Sequence, residues 1–163
     1  MTGSKHQRIG VFVDVQNLFY SARALYNGKM NFKKLLENIV AGRQLTRAIA
    51  YIVQKQDSYQ ANFIDALRRL GYEVKSKELK IRFDGTAKGD WDMGIAIDAL
   101  ATAPKLDVVV LVSGDGDFEP LVEMLKAQGC KVEVVSFEKS SAAELINAAT
   151  EYVPIDKTWL LKE

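Results

Sequence analysis

One cysteine and one histidine are all that this sequence offers in thiol and imidazole groups. Cys130 alone cannot close an internal disulfide, which suits a reducing compartment. His6 alone, in the N-terminal stretch, supplies no histidine cluster of the kind zinc requires. No apolar run approaches the roughly 20 residues needed to cross a bilayer. The opening "MTGSKHQR" carries no apolar segment of signal-peptide type. A cytoplasmic protein without membrane contact is therefore expected. The formal net charge is only +1, so no overall basic field announces a nucleic-acid partner, and a polyanion would have to be held by a local patch. There is no G-x-G-x-x-G after a strand and no P-loop, which argues against dinucleotide or P-loop nucleotide binding. Internal repeats, low-complexity tracts and a domain-splitting linker are likewise missing.

What remains is the composition of a soluble globular domain, with 48% apolar and 26% charged residues. Its 163 residues fit one domain with a real core. We read residues 1–8 as an N-terminal tail, 9–157 as the domain and 158–163 as a C-terminal tail. Short β-branched runs mark strands at 8–15, 48–53, 72–78, 107–113 and 131–137. Helical patterns lie between them. Phe32, Leu35, Leu36 and Ile39 recur at helical spacing, as do Phe63, Ala66, Leu67 and Leu70 ahead of Gly71. "DFEPLVEMLKAQG" has Pro120 in its first turn and Gly129 after its last. Ser141 and Glu144 stand at capping-box spacing. Alternating strands and helices imply an α/β fold, a three-layer α/β/α sandwich around a mainly parallel sheet of about five strands. "VFVDV" and "DVVVLV" are nearly continuous apolar runs, as central strands covered on both faces should be. Residues 77–90 read as a long loop, with room for a short extra strand.

The acids fall where such a fold binds ligands. In open parallel sheets the ligand crevice lies at the carboxyl ends of the strands, where the winding direction reverses. Asp14 stands near the end of the first apolar strand, and Asp115 and Asp117 follow the end of "DVVVLVS". Asp92 opens the helix leading into that strand. If the two apolar strands are neighbours, these acids converge. Each has a plainer role as well. Asp117 suits an N-cap for the helix after it, Asp92 suits the positive end of a helix dipole, and Asp115 suits a turn between glycines. Asp14 is harder to explain without a partner, because a charge near the end of a buried strand needs one. Asp98, off the face of Asp92, reads as structural. Two carboxylates about 5 Å apart repel by about 3 kcal/mol at an effective dielectric near 20. A hard divalent cation would offset that, and an all-oxygen set favours Mg²⁺ or Mn²⁺ over zinc. Such ions serve phosphoryl chemistry.

"FVDVQN", "KGDWDMGIAIDAL" and "VLVSGDGDFEPLVEMLKAQG", in this order, resemble the NYN domain family, particularly its LabA-like branch among the PIN-like nucleases. The similarity runs from about Ile9 to Ile155 and takes in "SAAELINAATEYVPI", where such domains have a short helix and a last hydrophobic strand. The resemblance implies a PIN-like Rossmannoid fold and metal-dependent cleavage of RNA to 5′-phosphate and 3′-hydroxyl ends. Carried over, the family's acids fall on Asp14, Asp92, Asp115 and Asp117, expected to hold Mg²⁺ or Mn²⁺ and to act in catalysis. Its asparagine falls on Asn17, which equally suits a cap for the helix "LFYSARAL". Ser113 is a candidate for contact with the metal shell or substrate.

An RNA nuclease must also hold a polyanion. Lys75, Lys77, Lys80, Arg82 and Lys88 cluster in the third strand and the following loop, with Phe83 and Trp91 interleaved. We expect Lys80, Arg82 and Lys88 to bind substrate, single-stranded RNA. Lys75 and Lys77 read as protection of an edge strand, and Trp91 as core. A homodimer is compatible with the sequence. A haloacid-dehalogenase-type phosphatase is disfavoured by Gln16, where its second aspartate belongs, and a Toprim-type enzyme by Asp14, where its glutamate belongs. The alternative outside enzymology is a metal-stabilised domain that binds RNA or a protein partner without cutting.

Overall fold

A computed structural model describes residues 5–54, 60–85 and 87–162 of the chain. In chain order its elements are β1 (Arg8–Asp14), α1 (Val15–Tyr26), α2 (Phe32–Val40), β2 (Gln44–Gln54), α3 (Ala61–Leu70), β3 (Glu73–Glu78), β4 (Lys80–Ile81), β5 (Ala87–Lys88), α4 (Asp92–Thr102), β6 (Val108–Val112), α5 (Glu119–Ala127), β7 (Lys131–Ser136), α6 (Ala143–Ala148) and β8 (Glu151–Pro154). Six strands form one parallel sheet in the order β3-β2-β1-β6-β7-β8. The expected count of about five misses β8, whose four residues "EYVP" are too short and mixed to announce a strand locally. The loop at 77–90 contributes an antiparallel two-stranded ribbon, β4 with β5.

Alternation along the central strands creates the layers. Val11 and Val13 of β1 face one side, against Leu18 and Ala22 of α1 and Leu35 and Ile39 of α2. Phe12 faces the other, with Ile95 and Ala99 of α4, Leu121, Val122 and Leu125 of α5 and Leu145 of α6. All five residues of β6 are buried, as a strand covered on both faces demands. Beneath the first layer, Arg43 and Glu133 form a buried ion pair, the guanidinium donating to both carboxylate oxygens at 2.7 and 3.0 Å. Leu160, beyond the last strand, is also buried and bridges to Met30.

Three local readings change. Helix α1 begins at Val15, and its cap is Asp14, whose Oδ1 accepts the Asn17 N–H at 3.2 Å. Asn17 is thus not the cap. Asp117 does not cap α5 either: the side chain that closes the turn ahead of it is Asp115, accepting the Asp117 N–H at 3.0 Å. The capping box at Ser141 and Glu144 does not form, since α6 starts at Ala143 and the Ser141 hydroxyl instead donates to the Phe137 carbonyl.

Strand order places the switch point between β1 and β6: the chain winds outward through β2 and β3, then returns to lay β6 on the other side of β1. The crevice outside the carboxyl ends of such a pair is where doubly wound sheets bind ligands.

Candidate metal centre

The crevice is built from four chain segments. Val13 pairs with Val112 in the β1–β6 ladder, so the residues immediately beyond, Asp14 and Ser113, emerge side by side. Ser113, fully buried, donates from Oγ to Asp14 Oδ2 at 3.0 Å and accepts the Asp115 N–H at 3.2 Å. Asn17 crosses the same gap, its Oδ1 accepting the Gly114 N–H at 3.0 Å. These bonds hold the β1–α1 junction and the loop after β6 in fixed relation.

The "SGDGD" glycines allow a third segment to close in. A Cβ on Gly114 would stand 2.5 Å from Ser141 Oγ and 3.1 Å from its Cα, and one on Gly116 would stand 2.8 Å from the Ala142 Cβ. Only a bare backbone lets residues 141–142 pack there. From the same layer as α5 and α6, α4 delivers Asp92 in its first turn.

Asp92, Asp115 and Asp117 converge, each offering a carboxylate oxygen, with these atoms all within 4.8 Å of one another. Asp92 and Asp115 are half-buried and Asp117 is exposed. Two Asp-x-Asp pairs build this group in the same way. Asp90 Oδ1 accepts the Asp92 N–H at 3.1 Å, just as Asp115 accepts that of Asp117, so each first acid sets the backbone of the second. Asp14 stands beside the group rather than in it. Each of its oxygens already accepts one bond, from Asn17 and from Ser113, and acceptor capacity remains.

The electrostatics record the crowding. Burial and then the charges of Asp115, Asp90, Asp14 and Asp117 push the Asp92 carboxyl up to about 7. Burial raises Asp14 too; its bonds with Asn17 and Ser113 oppose this, and Asp115 and Asp90 reinforce it. Among the described residues no lysine or arginine forms an ion pair with Asp14, Asp92, Asp115 or Asp117. A convergent, all-oxygen cluster in which Asp92 is held well above the usual carboxylate range fits a hard divalent cation of the Mg²⁺ or Mn²⁺ kind. It does not fit a zinc site of nitrogen and sulfur ligands.

The remaining expected residues divide. Lys80 and Lys88 have side chains outside the described part of the structure. Arg82 is exposed on the ribbon beside fully exposed Phe83. Lys75 donates to Asp98 at 2.7 Å, and Asp98 also accepts from the Tyr51 hydroxyl. Burial works to raise the Asp98 carboxyl, but those partners outweigh it and hold it low. Asp98 is structural. Lys77 lies 4.5 Å from the centroid of the Trp91 ring, and the Trp91 indole donates to the Ile52 carbonyl, so both serve packing. Asp90 is the residue that sequence reasoning passed over. Its signal was present, since "GDWD" repeats the spacing of "GDGD".

Two of the proteins that the chain resembles match it over nearly its whole length. The chain is 35% identical over 158 residues to the low amplitude and bright protein LabA of Synechococcus elongatus, covering 91% of this chain and 84% of that protein. An uncharacterised protein of Methanocaldococcus jannaschii is 30% identical over 100 residues, 60% of this chain and 38% of its own. The crystal structure of a protein of unknown function from Vibrio parahaemolyticus superposes with a TM-score of 0.90 at 38% identity, covering 99% of this chain and 100% of that one. With the NYN domain matching residues 8–156, and with its acids gathered at the switch point of a parallel sheet, the chain belongs to the NYN domain family, in its LabA-like branch.

Proposed function

We propose that this protein is a metal-dependent ribonuclease that hydrolyses phosphodiester bonds of single-stranded RNA in the crevice between β1 and β6. One observation carries the reading: three carboxylates meet within 4.8 Å, with no lysine or arginine among the described residues ion-paired to them, on a domain of a family allied to nucleases. A bound Mg²⁺ or Mn²⁺ would supply Lewis acidity and offset the charge that grows on a phosphoryl group. Asp92, Asp115 and Asp117 would hold it. Asp14 is fixed by Ser113 and Asn17 at the floor of the crevice, where its remaining acceptor capacity can orient water or complete the shell. Asn17 commits its oxygen to Gly114, which leaves its amide NH₂ to donate to a phosphate. Arg82 with Lys80 and Lys88 on the ribbon form the basic element that contacts substrate phosphates.

The test is incubation of purified protein with end-labelled single-stranded RNA and Mn²⁺. Cleavage should leave 5′-phosphate ends, stop with chelator and fall more than about 100-fold in Asp92→Asn, since even partners that only orient a metal's ligands are worth 10–100-fold. Equal degradation by wild type and Asp92→Asn would expose a contaminant. RNA bound but uncut with Mn²⁺ would favour a binding domain that regulates without cutting.

A further inference from the structure

Helix α1 leaves the metal-centre edge directly from its cap, Asp14, and its buried face is Val15, Leu18, Ser21 and Ala22. The opposite face is unusual. Phe19 and Tyr20 are 47% and 50% exposed, adjacent and edge-to-face, with ring centroids 5.6 Å apart. Hydrophobic burial would ordinarily claim rings of this size. One turn further on, exposed Arg23 forms no ion pair among the described residues.

Position gives the patch its meaning. At 1.5 Å per residue, Phe19 and Tyr20 stand roughly 8 to 9 Å from Asp14 along the axis. Helical side chains lean toward the N-terminus, so both rings tilt back toward the crevice. A strand whose phosphate reached the acids would pass its next bases across this face. Unpaired bases stack on exposed aromatic rings irrespective of sequence, and a neighbouring guanidinium adds a phosphate contact. Of the other exposed apolar side chains on α1, α4 and α5, Met93, Ile97 and Met124 carry no ring, and Tyr26 ends α1 far from the acids, its ring against buried Phe137.

We propose that Phe19 and Tyr20 form a stacking subsite for an unpaired base of the bound strand, with Arg23 contacting the adjoining phosphate. The subsite rests on the ribonuclease reading of the crevice, and it restricts the substrate to single strands. A duplex keeps its bases stacked on one another and gains nothing from the rings.

Binding of a fluorescein-labelled single-stranded 10-mer RNA to Asp92→Asn protein, followed by anisotropy at fixed salt, separates this proposal from cleavage. Adding Phe19→Ala or Tyr20→Ala should weaken binding about tenfold, while Tyr20→Phe retains it. Phe19→Leu, which keeps apolar bulk without a ring, should behave as Phe19→Ala and guards against a folding defect. Replacing one nucleotide with an abasic one at successive positions should reveal a position where loss of the base weakens binding to Asp92→Asn but not to the ring-less variants. Equal affinity with and without the rings would overturn the subsite, and the cleavage assay on wild type would still report independently on the crevice. No binding of the 10-mer at all would also overturn it. A shift from dimer to monomer on Phe19→Ala in sedimentation velocity, with RNA affinity unchanged, would assign the face to self-association instead.

Discussion

Asp92 holds its proton to about 7 instead of 3.8, through burial first and its acidic neighbours second. In the unfolded chain the same carboxyl ionises near its ordinary value. Between about pH 4 and 7 the native state therefore binds more protons, and stability without metal falls as pH rises. Asp14, also raised, adds a contribution of the same sign. In chelator, Asp92→Asn should match wild type near pH 4 and melt progressively higher than it toward pH 8. The difference should be about 1–2 kcal/mol, allowing for the solvent screening of a half-open group. Thermal unfolding across the pH range checks it; a flat difference would mean that neither burial nor neighbouring charge raises Asp92 in the native state. Gly114 answers to sterics instead. Gly114→Ala would press its Cβ onto Ser141, which is itself anchored to the Phe137 carbonyl and Ser136 Oγ. A loss of about 1–3 kcal/mol in urea unfolding is expected from such overpacking.

The loop from Ser113 to Phe118 shows how a short element serves two ends. Asp115 turns the backbone by accepting the Asp117 N–H and also contributes to the acid group. The turn expected of this residue therefore forms, and the same side chain stands in the acid group on which the proposed metal site rests. The two roles separate under substitution. Asp115→Asn keeps an oxygen for the turn but removes the charge, so the metal-free melting temperature should rise and the stabilisation by Mn²⁺ should shrink. Asp115→Ala loses the turn as well and should forfeit about 1 kcal/mol of that gain. Differential scanning fluorimetry with Mn²⁺ and with chelator distinguishes them. A lower metal-free melting temperature in Asp115→Asn would mark the residue as a turn former alone.

Across the whole molecule, the two halves of the sheet are tied at both ends. At the carboxyl edge, Ser113 and Asn17 join β6's loop to the β1–α1 junction. On the layer beneath, buried Arg43 at the head of β2 holds buried Glu133 of β7, spanning the two strands between. Removing one partner strands a charge in low dielectric, so Arg43→Met should cost about 3–5 kcal/mol. Arg43→Met with Glu133→Leu should recover much of it, as read by urea unfolding. Recovery would show that the pair is not needed for stability as such, whereas an additive loss would show that its shape matters more than its charge.

How much could be read before folding differs with the range of the interaction involved. Strand runs such as "DVVVLV", the α/β alternation and the acids at strand ends were legible because burial on two faces and the period of a helix are local constraints. Asp92, Asp115 and Asp117 could be named from the motifs as acids that approach one another, with Asp14 beside them. The roles of Asn17, Asp117 and Ser141 at helix starts were misread, because several polar side chains compete for the same few N–H groups and packing chooses among them. Strand β8 was legible only through the family resemblance and not from its own pattern, because its pairing with β7 makes it a strand, with little help from its own residues. Above all, the meeting of Asp92 with Asp115 and Asp117, and the pH at which Asp92 ionises, come from laying β6 against β1. Charge repulsion and burial act through space, and distances between residues remote in the chain exist only once the sheet has closed.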